Sequence, residues 1–175
     1  MKKTIYILIF SILFTSCDSL SDLLELNINN DLTESVDVSV TQTSSTPEAF
    51  DKTKTVDLNT GDLADYRGKI TAVKINTFTY KIKNFTGNTA GTIPSGKLKF
   101  NDLIVDEISD FNISQAASAG TSFEITDANL LASIESAFLN NNTATIKLTG
   151  TVLSEAGSMN FQIEVFMNMT ATIKD

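Results

Sequence analysis

Met159-Asn160-Phe161-Gln162-Ile163-Glu164-Val165-Phe166-Met167-Asn168-Met169-Thr170-Ala171-Thr172-Ile173 is the most regular stretch of the chain. Every odd position is apolar, and every even position except Phe166 is polar. A pleated backbone sends successive side chains to opposite faces, so this period of two marks a strand with one face in a core and one in solvent. Just upstream, Ala144, Ile146, Leu148, Gly150 and Val152 alternate with Thr143, Thr145, Lys147, Thr149 and Thr151. The short Gly-containing segment from Ser154 to Ser158 separates the two runs, which predicts an antiparallel hairpin.

Toward the N-terminus the same period recurs at Leu24, Leu26 and Ile28 and at Val36, Val38 and Val40. Ser44–Ala49 reads as a loop, Thr55–Leu58 as a short strand, and Asn59–Arg67 as a turn into one helical turn with Thr60 as N-cap. Ile70–Phe85 is a long strand whose parity changes from odd (Val73, Ile75) to even (Phe78, Tyr80, Ile82). A one-residue slip would turn every later side chain to the wrong face, so a bulge is expected near Asn76-Thr77. After a loop over Thr86–Pro94, Gly96, Leu98 and Phe100 alternate again. Asn101–Ser114 reads as two short pieces, Ala116–Gly120 as a small flexible segment, and Phe123 and Ile125 as a brief strand. Asp127 can cap a helix over Ala128–Leu139, where Leu130, Leu131, Ile134 and Phe138 form one apolar stripe suited to covering an open end of the sheets. The expected fold is mainly β: a two-layer antiparallel β-sandwich of roughly seven to nine strands with one short α-helix near 128–139.

The N-terminus has a different character. Met1-Lys2-Lys3 precedes an apolar run from Ile5 to Phe14, broken only by Ser11 and followed by Thr15, Ser16, Cys17 and Asp18. A cationic start and a short apolar run are the layout of an export signal. The run falls well short of the roughly 20 apolar residues needed to span a bilayer. Phe14-Thr15-Ser16-Cys17 resembles the lipobox of bacterial lipoproteins, with Phe14 where that family usually has Leu. The resemblance covers residues 1–17 only. It implies removal of a signal peptide at residues 1–16 and attachment of acyl chains such as palmitate to Cys17. Residues 17–23 would then be a lipidated tether, spanning at most about 20 Å beyond the anchor, and residues 24–175 a single domain. The implied location is the cell envelope, with the outer membrane favoured over the inner.

Composition sets further bounds. Lys2 and Lys3 leave with the signal, so the mature chain has 11 basic and 21 acidic residues, a net charge of −10. That sign opposes adsorption to nucleic acid. With no His and a single Cys, there is no imidazole base, no serine–histidine relay and no thiolate zinc site once Cys17 is acylated. Only carboxylate or lysine chemistry is left for an enzyme, and no cofactor is expected. Asp57-Leu58-Asn59-Thr60-Gly61-Asp62 brushes against a calcium loop, but Asp62 and Gly68 occupy the places where that loop requires Gly and Glu. Asp57, Asn59, Asp62 and Asp65 therefore read as turn and cap residues. The acidic group Asp102, Asp106, Glu107 and Asp110 reads as a solvated edge, and no metal site is expected. Four Asn-X-Ser/Thr triplets, such as Asn84-Phe85-Thr86, are what a chain rich in Asn and Thr contains by chance.

Charge is unevenly spread. Nine of the eleven mature basic residues lie between Lys52 and Lys99. If the strands Ile70–Phe85 and Ser95–Asn101 pair across their loop, then Lys81, Lys83, Lys97 and Lys99 share one solvent face. Such a face is a candidate anion-binding patch for lipid phosphate or an acidic glycan; its ordinary alternative is a set of lysines guarding sheet edges. The function expected from the sequence is a membrane-anchored, non-enzymatic binding or scaffolding module whose partners are the bilayer and an envelope protein, anionic lipid or acidic glycan. The rival is a carrier of an apolar ligand, with Met159, Phe161, Phe166, Met167 and Met169 lining a cavity.

Overall fold

In the computed structural model, residues 25–42, 46–57, 60–141, 143–154 and 157–174 are described. The strands are β1 (Glu25–Gln42), β2 (Glu48–Asp57), β3 (Ile70–Gly87), β4 (Thr92–Phe100), β5 (Leu103–Asn112), β6 (Ser122–Glu124), β7 (Thr143–Leu153) and β8 (Gly157–Lys174). A 3-10 helix (Gly61–Tyr66) lies between β2 and β3, and α1 (Ile113–Ala119) and α2 (Ala128–Asn141) flank β6. The strands form two four-stranded antiparallel sheets, ordered β1-β8-β3-β6 and β2-β7-β4-β5. The expected two-layer sandwich is therefore the fold. The pairs β1–β8, β2–β7, β3–β6 and β4–β5 are those of one long hairpin folded at β4–β5, and wrapping it so that β8 meets β3 and β7 meets β4 gives jelly-roll order.

That wrapping overrides two pairings expected from proximity in sequence. β7 and β8 do not form a hairpin: they lie in different sheets, each flanked by two other strands. β3 and β4 likewise lie in different sheets, so the segment joining them crosses from one layer to the other. In both cases the alternation finds the strands, but β4 begins at Thr92, inside the expected loop over Thr86–Pro94. β2 and β5 are single strands where a shorter strand at Thr55–Leu58 and two pieces over Asn101–Ser114 were expected. Partner choice is a matter of which wrapping buries all the apolar faces at once, and local pattern does not carry it.

β8 is the spine of its sheet. Its inward side chains from Met159 to Ile173 are all buried, and it pairs with β1 over eighteen consecutive residues without a register shift. On its other side β3 follows β8 with shifts at Ile70/Ala72, Ile75/Thr77 and Lys83/Thr86. The middle one is the bulge that the parity change at Asn76-Thr77 required; it lets Val73, Ile75, Phe78, Tyr80 and Ile82 all face the core.

Elsewhere local chemistry explains where elements differ from expectation. Asn101-Asp102 forms the two-residue turn between β4 and β5, with Asn101 at φ 53°, a left-handed conformation that Asn tolerates. Ala116–Gly120 is the end of a helix: the Asn112 side chain accepts from Gln115 N at 2.8 Å, and Gly120, at φ 62°, closes α1 by donating to the Ala116 and Ala117 carbonyls. At the 3-10 helix Thr60 occupies the cap position, but its hydroxyl donates back to the Asp57 carbonyl and caps nothing. Asp127 does cap α2, accepting from Asn129 N and Leu130 N. Ile134 and Phe138 of that helix are fully buried. Phe138 meets Phe100 edge-on at 5.1 Å, and Phe100 meets Phe78 at 6.3 Å, so the helix is tied to the core through a run of rings joining both sheets.

Candidate functional site

Cys17, the tether at 17–23 and Leu24 lie outside the described residues. The first described residue is Glu25, which opens β1 beside Lys174, the last residue of β8.

The four lysines Lys81, Lys83, Lys97 and Lys99 are not brought together. Lys81 and Lys83 alternate with buried Tyr80 and Ile82 on β3, while Lys97 and Lys99 alternate with buried Leu98 and Phe100 on β4. They therefore occupy the outer faces of opposite layers, and the pairing of β3 with β4 that would have united them does not occur. Each pair also meets acid. Glu164 on β8 takes Lys83 at 2.6 Å and Lys81 at 3.1 Å, and these two ammonium groups hold its carboxyl below the usual glutamate value, with the Lys83 hydrogen bond the largest cause. Lys97 pairs with Glu107 at 2.7 Å. Lys99 sits opposite Lys147, whose own charge goes to Asp51 at 2.9 Å. Three of the four lysines are thus shared with a carboxylate, and Lys99 lies beside another lysine.

The acidic candidates are dispersed as well. Arg67 lies 3.8 Å from Asp57, Asp62 and Asp65 point to solvent, and Asn59 is outside the described residues. Asp106 turns inward, and Glu107 takes Lys97. Among the described residues no three acidic, His or Cys side chains converge as metal ligands, and no helix is long and apolar enough to cross a membrane.

Two inward polar groups fall outside the candidates read from the sequence. Tyr80, on β3, donates to Asp106 Oδ2 on β5 at 2.5 Å, a polar bridge from one sheet to the other. Its ring stacks on Phe123 at 4.9 Å, and burial, reinforced by the Asp106 carboxylate, pushes the phenol far above its ordinary pKa. The bulge opposite Leu98/Lys99 sets Asp106 opposite buried Leu98, on the inward side where it reaches Tyr80. On the opposite flank Lys54 of β2 and Glu34 of β1 meet at 3.6 Å. The second group is Asn30, 7% exposed, whose Nδ2 has no hydrogen-bond partner. Its parity with Leu26, Ile28 and Leu32 was the available signal: an amide on a strand's apolar face.

The outer face of the β1-β8-β3 layer is a lattice of amides and hydroxyls. Thr172 and Thr170 donate to Asn27 and Asn29 at 2.8 Å, and Asn168 and Gln162 donate to Asp31 and Asp37 at 2.6 Å. Asn76 continues the network onto β3 by donating to Asn168 and Thr170. Half-exposed Phe166 sits within this field, between Thr33 and Thr79. The even positions of β8 are thus polar because they pair across strands, a stabilising use of that face.

The inward face of β8 is packed. Met159, Met167 and Met169 are fully buried, and Met159 Sδ lies so close to Gly91 that a Cβ there would stand 2.6 Å away. Shallow surface grooves of about 310 to 530 Å³ occur elsewhere, at Ser95–Lys97 with Thr149, at Asn101 with Asn141, at Phe111 with Phe123, and at Phe85 with Ser114. None of these four is lined by the β8 methionines.

No protein-family model and no curated protein matches the chain. Among solved structures it is similar to the decameric BFDV capsid protein, at 10% identity and TM-score 0.40 over 83% of this chain and 99% of that one. It is also similar to desmodium yellow mottle tymovirus, at 9% identity and TM-score 0.30 over 83% of this chain and 84% of that one. A third likeness is to Israeli acute paralysis virus, at 9% identity and TM-score 0.28 over 89% and 77%. Likenesses this distant carry nothing about what the chain does.

Proposed function

We propose that this chain is a lipid-anchored lipoprotein of the bacterial cell envelope, with the outer membrane as its favoured location. On this reading it is a non-enzymatic module that binds or scaffolds a neighbour through its surface. The observation that carries the anchor is the N-terminal order of two lysines, a ten-residue apolar run and Phe14-Thr15-Ser16-Cys17. Acylation at Cys17 adds about 0.8 kcal/mol of membrane affinity for each buried CH₂, so two or more chains hold the protein durably. With β1 opening at Glu25, the tether is short, and the sandwich would work close to the bilayer.

A surface role is supported by the chemistry of the rest. His is absent, the Asp106 carboxylate and the Tyr80 phenol are engaged with each other across the sheets, and the methionines that would line a carrier's cavity are packed as core. The expected test result is specific. Mass spectrometry of the membrane-extracted protein should find a mature chain beginning at an acylated Cys17. A Cys17→Ala variant should leave the membrane fraction and accumulate as a precursor or in the soluble envelope fraction. An unmodified cysteine, or a Cys17→Ala variant that still sediments with membranes, would overturn the reading.

A further inference from the structure

From Phe100 to Ile146 the chain carries seven acids and no lysine or arginine. This stretch builds one flank of the sandwich, where β5 ends one sheet, β6 ends the other and α1 links them in sequence. The flank holds a groove of about 340 Å³ whose lining includes Phe111 of β5, Gln115 and Ala119 of α1, and Phe123 of β6. Its two rings are half-buried and meet edge-on at 5.6 Å, and Phe123 is fixed by its stacking on Tyr80.

Asp110 belongs to the same lining, and its backbone is left-handed, φ 49°. Neighbours on a regular strand face opposite ways. The turn at Asp110 breaks that alternation, so Asp110 and Phe111 line one groove. Asp110 is exposed, and its carboxylate has no hydrogen-bond or ion-pair partner among the described residues. Of the four grooves named above, this one alone joins a pair of rings to an unpaired charge. The first has Lys97 already on Glu107, the second has no ring, and the one at Phe85 has no charge.

We propose that the groove between β5 and β6 is a docking site for an arginine side chain of a protein partner. A guanidinium is planar and weakly hydrated, so it packs on aromatic rings while its forked N–H groups donate to a carboxylate. Phe111 and Phe123 supply the rings and Asp110 the carboxylate, and the side-chain oxygens of Ser109, Gln115 and Thr121 in the same lining suit the remaining donors. An apolar occupant would cover the Asp110 charge without pairing it, which is costly. An anion would meet an acidic flank. A second copy of this chain could offer only Arg67, its one arginine, and the negative charge of both copies opposes that approach. The proposal deepens the scaffolding role above by naming its surface and the chemistry of its partner, and its test does not depend on the lipid.

Nuclear magnetic resonance of the full chain in detergent micelles provides the test, with N-acetylarginine amide as probe at millimolar concentration. Its controls are the citrulline analogue, which keeps the shape without the charge, and the lysine analogue, which keeps the charge without the plane. Shifts should be confined to the segment from Ser109 to Phe123 and its packing neighbours. Binding should be about tenfold weaker for citrulline, which lacks the charged pair, and about threefold weaker for lysine. Asp110→Asn keeps a residue that tolerates the left-handed backbone and should weaken arginine binding about tenfold. Phe123→Leu keeps the apolar bulk without the ring and should weaken it about threefold. Asp102→Asn removes the same charge outside the groove and should leave it unchanged. Equal binding of arginine and either control, equal losses in Asp110→Asn and Asp102→Asn, or no binding would overturn the proposal. So would groove shifts that arise without the probe and grow with protein concentration, because they would place Arg67 of a second copy there. A chain that fails to sediment with membranes yet passes this test would sink the anchor alone.

Discussion

Asn30 and Glu164 show how one side chain on this scaffold is valued by its neighbours. A buried donor without an acceptor costs about 1 to 3 kcal/mol in lost hydration, and Asn30 Nδ2 is such a donor. Asn30→Leu, close in volume and facing the same apolar side as Leu32, should raise stability by about 1 kcal/mol, measured as a higher denaturant midpoint at unchanged slope. A lower midpoint would mean that the amide serves a buried partner such as water. Glu164 is the opposite case, a carboxylate favoured in its charged form by Lys83 and Lys81. Its folded pKa lies below the ordinary 4.5, so the stability it contributes is complete above that value and is lost as pH falls through the folded pKa. Denaturant midpoints between pH 6 and pH 3 should therefore fall less steeply in Glu164→Gln than in the native chain. Parallel curves would show that the two lysines do not favour the charged form.

Among the elements, the strands of the β2-β7-β4-β5 layer are shaped by a row of four facing residues: Phe50, Gly150, Gly96 and Ile108. The two glycines are needed because their neighbours fill the space. A Cβ on Gly150 would stand 2.4 Å from the Ser95 carbonyl oxygen and 2.9 Å from the Phe50 ring. One of those contacts is backbone and cannot swing away. Gly150→Ala should therefore destabilise by about 1 to 3 kcal/mol through overpacking. Gly68→Ala, at a turn where nothing lies within 4 Å, should lose only the roughly 1 kcal/mol of a left-handed φ. Equal losses in thermal unfolding would mean that the row across the sheet is looser than its geometry implies. The sequence shows Gly150 in an inward position of an alternating run; that a phenylalanine from β2 lies over it follows only from the pairing.

For the molecule as a unit, the wrapping of β1–β8 around β4–β5 makes the first and last described strands neighbours: Glu25 pairs with Lys174 and Leu26 with Ile173. Most stabilising pairs thus close long loops before they gain contacts, and folds dominated by such pairs refold in milliseconds to seconds. Stopped-flow refolding should fall in that range, with Phe138→Ala, which empties a fully buried ring site under α2, losing about 3 to 5 kcal/mol of stability. Microsecond refolding would contradict a topology built from non-local pairs.

The order of residues was enough to locate β3, β7 and β8, to show which of their faces are apolar and where β3 must bulge, and to start a helix at Asp127 with Ile134 and Phe138 on its buried side. These are properties of period and capping, and period and capping are local. Local pattern also cut β2 to Thr55–Leu58, left Thr92–Pro94 in a loop and split β5. Which strand lies beside which was settled by the folded arrangement. It placed β7 and β8 in different layers, set Lys81 and Lys83 on the face opposite Lys97 and Lys99, and turned Ala116–Gly120 into the end of α1. The reason is that an alternating strand offers the same backbone groups to any neighbour, so its partners are chosen by the one wrapping that closes every apolar face together.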